Sequence, residues 1–560
     1  MSRIRRRRGT LLLAAGVILL LLWLVLYPNL FVLGDSLRVE GQWTLGNYAR
    51  FFASRAEMRA LWNSVWISGA TVVLAGLVGV PLAFLFARDF PGRRVLGALA
   101  SLPVLLPPLV GVIAFLFLYG ETGFAARAVQ LALGMERPPW RLAGPGAILL
   151  VHAYTMYVYF FLFTRAGIAR LDAGYREAAA ALGAGRLTTL RRVTLPMLAP
   201  SIGGAALLVF MTSMGSFSAP YVFGGGFRVL TTQIFASKLN GDLAMAAVET
   251  VVLAAVSLGF LWMLQRYEAS RAYTGAGKGT AAGGQAAAQA RAGGWALTAL
   301  ASALILILLL PHATVLLVSF VPEGSWTTQF FPPVYSLENY RSLLTDREML
   351  RPVMNSLRMA TLATVANVVL AFAAAWLMVR KRFRGRGLLG ALVILPWALP
   401  GTVLAIALAT TFSANQPWAG RFLLVGTFWI LPIAYFVRNV PLVTRAALAS
   451  FRQFDPALEE AAASLGARWA TTARRVTLPL VLPGLAAGTL LAFVTALGEF
   501  VASILLYTHR TRPISIEILS QLRAFDFGAA AAYGFVLIVL MALVFLVGYR
   551  AVDEGQAGGM

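Results

Sequence analysis

Glu177-Ala178-Ala179-Ala180-Ala181-Leu182-Gly183 and Glu460-Ala461-Ala462-Ala463-Ser464-Leu465-Gly466 are the two strings that decide how this chain is read. Each runs on into the same six residues, Arg191-Arg192-Val193-Thr194-Leu195-Pro196 in one case and Arg474-Arg475-Val476-Thr477-Leu478-Pro479 in the other. Further pairs recur upstream in unchanged order. Asn47-Tyr48 returns as Asn339-Tyr340, Asn63-Ser64 as Asn355-Ser356, Gly92-Arg93 as Gly385-Arg386, and Leu102-Pro103 as Leu395-Pro396. Chance does not keep order and spacing over so many markers, so the chain is a tandem duplication.

The sequence between these markers is apolar. Of 560 residues, 59% are hydrophobic and 12% charged, too little charge to clothe a soluble protein of this size. Apolar runs of about 20 residues, enough to cross a bilayer as helix, recur throughout. Backbone in lipid must satisfy its own hydrogen bonds, so these runs are helices. Twelve candidate spans lie near 10–33, 61–87, 95–119, 144–165, 200–222, 244–265, 294–320, 356–379, 388–411, 422–444, 482–508 and 530–549. The expected fold is an all-α membrane protein: 12 transmembrane helices forming two parallel six-helix repeats.

The formal charge of +24 raises nucleic-acid binding, but the basic residues sit between apolar spans rather than on a polar domain. They fit membrane orientation instead. With the N-terminus inside, the clusters Arg88 to Arg94, Arg165 to Arg192, Arg380 to Arg386 and Arg445 to Arg475 all fall on the cytoplasmic side, as do both termini. Arg3 and Arg5 to Arg8 precede an apolar run too long for a signal core, with no small-residue cleavage site after it. That run is read as an uncleaved first span. The expected division is a first six-span domain at 1–266, a Gly- and Ala-rich linker at 267–293, a second six-span domain at 294–550 and a tail at 551–560, unstructured from Asp553.

There is no Cys, and His152, His312 and His509 are far apart in sequence. No span holds paired carboxylates, so neither a catalytic constellation nor a metal centre is legible. An ion-gradient-driven secondary transporter is the alternative class, since it too can have parallel halves. It would need several coupling carboxylates within the spans, and it gives the repeated strings no role.

The connections that hold those strings, 166–199 and 446–481, are long for links between helices. Asp172 caps a helix running to Leu182, and Gly183 ends it; Asp455 caps the second, Pro456 fills its first turn, and Gly466 ends it. Paired alanines keep each helix slim enough for a groove on another protein, the Gly permits a sharp turn back to the membrane, and Glu177 and Glu460 offer charge. Two amphipathic loops without a partner is the bland alternative; it suits one copy better than two equivalent ones.

Glu-Ala-Ala, three residues, Gly, then a distal Leu-Pro resembles the docking loop of binding-protein-dependent ABC importer permeases. Glu177, Ala178, Ala179 and Gly183 match it, as do Glu460, Ala461, Ala462 and Gly466. The resemblance covers nearly the whole chain and implies a type I ABC importer permease fold in a bacterial inner membrane. It further implies two copies of an ABC ATPase subunit carrying ATP-Mg, no cofactor in this chain, and a periplasmic or extracytoplasmic substrate-binding protein. No Walker-type phosphate loop occurs here, so the ATPase is expected to be a separate protein. The fused build resembles ferric-iron permeases, implying ferric iron as cargo, with thiamine, 2-aminoethylphosphonate or a polyamine as alternatives.

Gly498-Glu499-Phe500 falls in the eleventh span and Gly215-Ser216-Phe217 in the fifth. An intramembrane acid is costly and tends to face a cavity or a partner, so Ser216, Phe217, Glu499 and Phe500 are the expected pathway residues. The alternative is that Glu499 pairs with Arg438 of the tenth span. Tyr154, Tyr157 and Tyr159 either line the path or pack between helices. Pro103, Pro107, Pro108, Pro396 and Pro400 are expected kinks. Trp43, Asn47, Tyr48, Trp326, Asn339 and Tyr340, in the external segments 34–60 and 321–355, are read as either a rim for the binding protein or interfacial anchors.

Overall fold

A computed structural model of the chain describes residues 2–39, 41–270, 291–326, 329–413 and 415–557. Among them, 10 helices are long and apolar enough to span a membrane, and one bent pair, Arg386–Ala398 with Gly401–Phe412, turns through 108°. The expected twelve are therefore not all single spans. The third expected span is divided into Arg93–Leu99, a 3-10 turn Leu102–Leu105, and Pro108–Tyr119. The tenth lies in an unbroken helix, Ile430–Gln453, but Arg438, Arg445 and Arg452 make it too polar to qualify.

The breaks in the third and ninth spans have one cause. Pro107 and Pro400 each hold an extended ψ, 139° and 147°, before the next helix begins. Leu106 and Leu399, each preceding a proline, are extended too, because the proline ring excludes the helical conformation there.

Each half is centred on three packed helices: Arg55–Phe86, Gly144–Ala169 and Leu195–Met214 in the first, Arg347–Arg380, Ile430–Gln453 and Leu478–Leu497 in the second. Small residues set how closely they approach, as membrane helices require. A Cβ at Gly79 would lie 2.7 Å from the Phe160 Cβ, and one at Gly488 would lie 3.2 Å from the Val443 Cα.

The halves are not self-contained. The opening span Gly9–Ser36 packs on Arg347–Arg380 and on the bent pair of the second half, with Trp23 edge-on to Phe412 at 5.7 Å. Reciprocally, Arg291–Val318 packs on Arg93–Leu99 and Pro108–Tyr119 of the first half. The Tyr154 hydroxyl donates to the Leu308 carbonyl at 2.6 Å across that contact.

The recurrent pairs do the same work twice. Asn47 Nδ2 donates to the Ser36 and Arg38 carbonyls, and Asn339 Nδ2 to those of Ser319 and Val321. Tyr48 shares a hydrogen bond with Ser36 Oγ, and Tyr340 with Ser319 Oγ. Ser64 Oγ accepts from the Leu230 amide and Ser356 Oγ from the Ile514 amide, both at 2.8 Å. The Asn-Tyr pairs thus tie the segments after the first and seventh spans onto helix ends. Their polar groups are spent on that tie.

Residues 271–290 of the expected linker lie outside the described residues; the helices Leu243–Ser270 and Arg291–Val318 run into both of its ends. The last helix, Phe527–Ala557, continues past Asp553, where an unstructured tail was expected.

Candidate functional site: docking helices and broken spans

The first string forms a helix, Ala173–Ala181, whose N-terminus is capped by Asp172 Oδ1 accepting from the Gly174 amide at 2.9 Å. The second forms Ala457–Ser464, where Asp455 Oδ1 accepts from the Ala457 amide at 2.9 Å. Both end identically. Gly183 donates to the Ala180 carbonyl and Ala184 to that of Ala179; Gly466 donates to Ala463 and Ala467 to Ala462. This paired closure needs a left-handed residue at its turn, and both glycines supply φ of +79°. Space around each is open, so backbone conformation alone demands glycine there.

Ala179 is buried and Ala462 half-buried, while Glu177, Ala178, Glu460 and Ala461 are exposed. Beside these lie large apolar side chains that nothing in the chain covers: Leu182 is 88% exposed and Leu465 89%. Both are the C-cap residues of these helices and lie outside the candidate spans.

The second docking helix is anchored by a residue that the sequence reading passed over. Glu459 pairs with Arg380 at 3.0 Å and accepts from Thr477 Oγ1 at 2.7 Å. Arg380 also donates to the Phe454 carbonyl and lies over its ring. Helix, span end and the start of the next span are thus locked together. The first string has Arg176 at the corresponding place, so the acidic anchor belongs to one half only. Adjacency of Glu459 to Glu460 was the available signal; its distant partner Arg380, on another helix, was not.

Gly215-Ser216-Phe217 and Gly498-Glu499-Phe500 lie at breaks rather than inside helices. Leu195–Met214 resumes as Ser218–Phe223, and Leu478–Leu497 as Val501–Leu506. The breaks expose carbonyls that need donors. Thr231 Oγ1 donates to the Ser216 carbonyl at 2.7 Å, and Ser515 Oγ to the Glu499 carbonyl at 2.8 Å.

The two breaks meet at the seam between the halves. Phe217 and Phe500 have ring centroids 5.8 Å apart. Gly215 sits against Pro400 of the opposite half, and Gly498 against Pro107 of the opposite half; a Cβ would stand 3.5 Å and 3.3 Å from the respective proline Cβ atoms. Each broken helix therefore rests on the proline break of the other repeat.

Glu499 does pair with Arg438. The guanidinium meets both carboxylate oxygens, at 3.1 and 3.2 Å, and Oε1 also accepts from the Ala502 amide at 2.9 Å. Glu499 is 5% exposed, so its charge is neutralised in place. At the equivalent position Ser216 meets His152 Nε2 at 2.8 Å, while His152 Nδ1 lies 3.2 Å from both Thr71 Oγ1 and Ser213 Oγ. His152 is thus a polar link inside the first half. Tyr154 and Tyr157 are occupied too, Tyr157 donating to the Ala100 carbonyl at 2.7 Å. No cluster of three or more His, Asp or Glu side chains suited to a metal occurs among the described residues.

Comparison with known proteins accords with this geometry. The family described as "binding-protein-dependent transport system inner membrane component" matches residues 76–272 and again 367–554. A protein of Sinorhizobium fredii named a probable ABC transporter permease is 34% identical over 507 residues, covering 89% of each chain. The ferric transport system permease FbpB of Actinobacillus pleuropneumoniae is 25% identical over 564 residues, 97% of this chain and 79% of that one. The sulfate transport system permease CysT of Escherichia coli is 34% identical over 248 residues, 43% of this chain and 84% of that one. Two matched domains in one polypeptide make this chain a fused, two-domain member of the ABC transporter permease family of binding-protein-dependent transport systems.

Proposed function

We propose that this permease carries ferric iron into the cell, driven by two copies of an ABC ATPase subunit docked on Ala173–Ala181 and Ala457–Ser464. The pair of exposed leucines, Leu182 and Leu465, carries the docking part of the reading: two equivalent apolar tips fit two equivalent ATPase clefts. ATP and Mg bind on those subunits. Closure of the ATPase pair would draw the docking helices together and move the breaks at Gly215 and Gly498 past Pro400 and Pro107. A binding protein delivers the cargo on the far side, in a bacterial inner membrane with both termini cytoplasmic.

Support for iron comes from ferric-transport permeases of two organisms, whose likeness extends over 97% and 90% of this chain. The sulfate-transport relative matches less than half of it. Charge reversal at both Glu177 and Glu460, with the protein still inserted, is expected to abolish ATP-dependent uptake of radiolabelled ferric iron. Normal uptake by that double variant would refute docking through these loops. Uptake of another solute, without iron, would keep the docking and overturn the cargo.

A further inference from the structure

Beyond the break at Glu499, the helix Val501–Leu506 ends at a cavity of about 390 Å³, lined by Tyr507, Thr508, His509, Arg512, Ser520 and Arg523 among others. The span Leu478–Leu497 and the short helix after it separate this cavity from the second docking helix. It therefore lies at the end of the molecule away from both docking helices.

The lining is rich in donors. Glu517 is the acid beside it; that carboxylate takes Arg512 at 3.0 Å and Gln521 at 2.7 Å. Ser520 Oγ accepts from Arg512 as well. Arg512 also approaches His509 Nδ1 at 3.3 Å. A guanidinium has no acceptor, so Nδ1 accepts, and the His509 ring keeps a donor on Nε2. Arg523 has no carboxylate within 4 Å among the described residues and lies over the Tyr221 ring of the first half. From the same half, Lys238 donates to the Leu505 carbonyl, two residues from the cavity wall. Tyr507, His509, Arg510 and Arg523 are exposed.

The first repeat lacks these donors. The matching bonds of Leu230 to Ser64 and Ile514 to Ser356 fix the register. In that register Gly225 stands for His509, Gly226 for Arg510 and Leu239 for Arg523. Arg228 stands for Arg512 and has a neutral partner, Gln233, at 3.3 Å. The donor set is thus particular to the second half, beside the seam with the first.

We propose that this cavity is an entry site for an anionic, oxygen-rich cargo, held by Arg523 and the His509 Nε2 donor beside the Arg512–Glu517 pair. The proposal rests on reading the chain as an importer permease and narrows its substrate class. A bare trivalent cation would be repelled from such a lining. Iron would therefore cross as a chelate of negative net charge, its carboxylate or other oxygen groups facing Arg523; a free tetrahedral oxyanion would fit the same chemistry.

Equilibrium binding to the full chain in nanodiscs of phosphatidylcholine tests this, with radiolabelled sulfate, radiolabelled molybdate and ferric citrate as probes at constant ionic strength. Saturable binding of at least one probe is expected, weakened about 10-fold or more in H509Q/R523Q, since a charge-assisted hydrogen bond contributes on the order of 1.5–3 kcal/mol. R523K, which keeps the charge, should retain part of it, and an unchanged melting temperature shows each variant folded. Ferric citrate binding alone identifies a chelate as cargo; sulfate or molybdate binding identifies a free oxyanion. Absence of saturable binding by all three, or equal binding by H509Q/R523Q, would overturn the proposal. No ATPase takes part, so this result stands apart from whether the docking helices work as proposed.

Discussion

Phe217 and Phe500 hold equivalent positions in the two repeats and face one another at the seam, 5.8 Å between centroids. Both are fully buried, and each follows a helix break that rests on the opposite half's proline. Relative motion of the halves would disturb this contact. The double variant F217A/F500A is expected to let small ions leak through proteoliposomes without ATP. A leak no greater than that of the parent chain would show that the seam is closed elsewhere.

Arg438 and Glu499 neutralise each other at the break in the second half. Removing one partner strands a charge; E499A should lower stability by roughly 2–3 kcal/mol, below the 3–5 kcal/mol typical of fully buried pairs, because Arg438 is one-third exposed. Replacing both with apolar residues, R438M/E499L, should recover most of the loss. Melting of the purified chain in detergent distinguishes the two. If E499A alone were silent, the pair would contribute nothing to the fold.

The anchor through Glu459 makes the two docking helices mechanically unequal. E459A frees the second helix from Arg380 and Thr477 while leaving Glu460 and the exposed leucines in place. Transport-coupled ATP hydrolysis should fall several-fold, with ATPase binding retained. Substitution of Arg176 in the first loop should have a much smaller effect. Equal losses from both changes would indicate that the ion pair plays no special part in coupling.

Gly183 and Gly466 have φ of +79° and open space where a Cβ would stand. Alanine there pays only the left-handed backbone penalty, about 1–2 kcal/mol. Asparagine, which enters that region more readily, should cost less. Proteolysis of the loop reports local opening: cleavage should rise in the order parent, Asn, Ala. No difference between Asn and Ala would mean that backbone strain is not what fixes the turn.

Removing the exposed tips leaves the fold untouched by this account. L182A/L465A should melt like the parent, since neither side chain has a packed environment, yet capture of the ATPase subunit should drop sharply. A destabilised double variant would instead place the leucines inside the chain's own structure.

The sequence by itself determined what depends on neighbours along the chain. Hydropathy over 20 residues marked the spans, recurrence of short strings revealed the duplication, and Asp172, Gly183, Asp455 and Gly466 delimited the docking helices, because caps and left-handed turns are local devices. The prolines were visible as kinks, but not that Pro107 and Pro400 would break their spans outright and each support the other half's glycine. Tertiary structure alone decided those cross-half contacts, the exchange of opening spans between halves, and the choice of Arg438 as partner of Glu499 over an open cavity. It likewise decided that His509, Arg512 and Arg523 share one lining. The reason is physical: in a chain apolar on nearly every helix face, hydropathy no longer marks which face is packed against protein. Close packing of small residues and the pairing of scarce polar groups then select the arrangement, and both join residues distant in sequence.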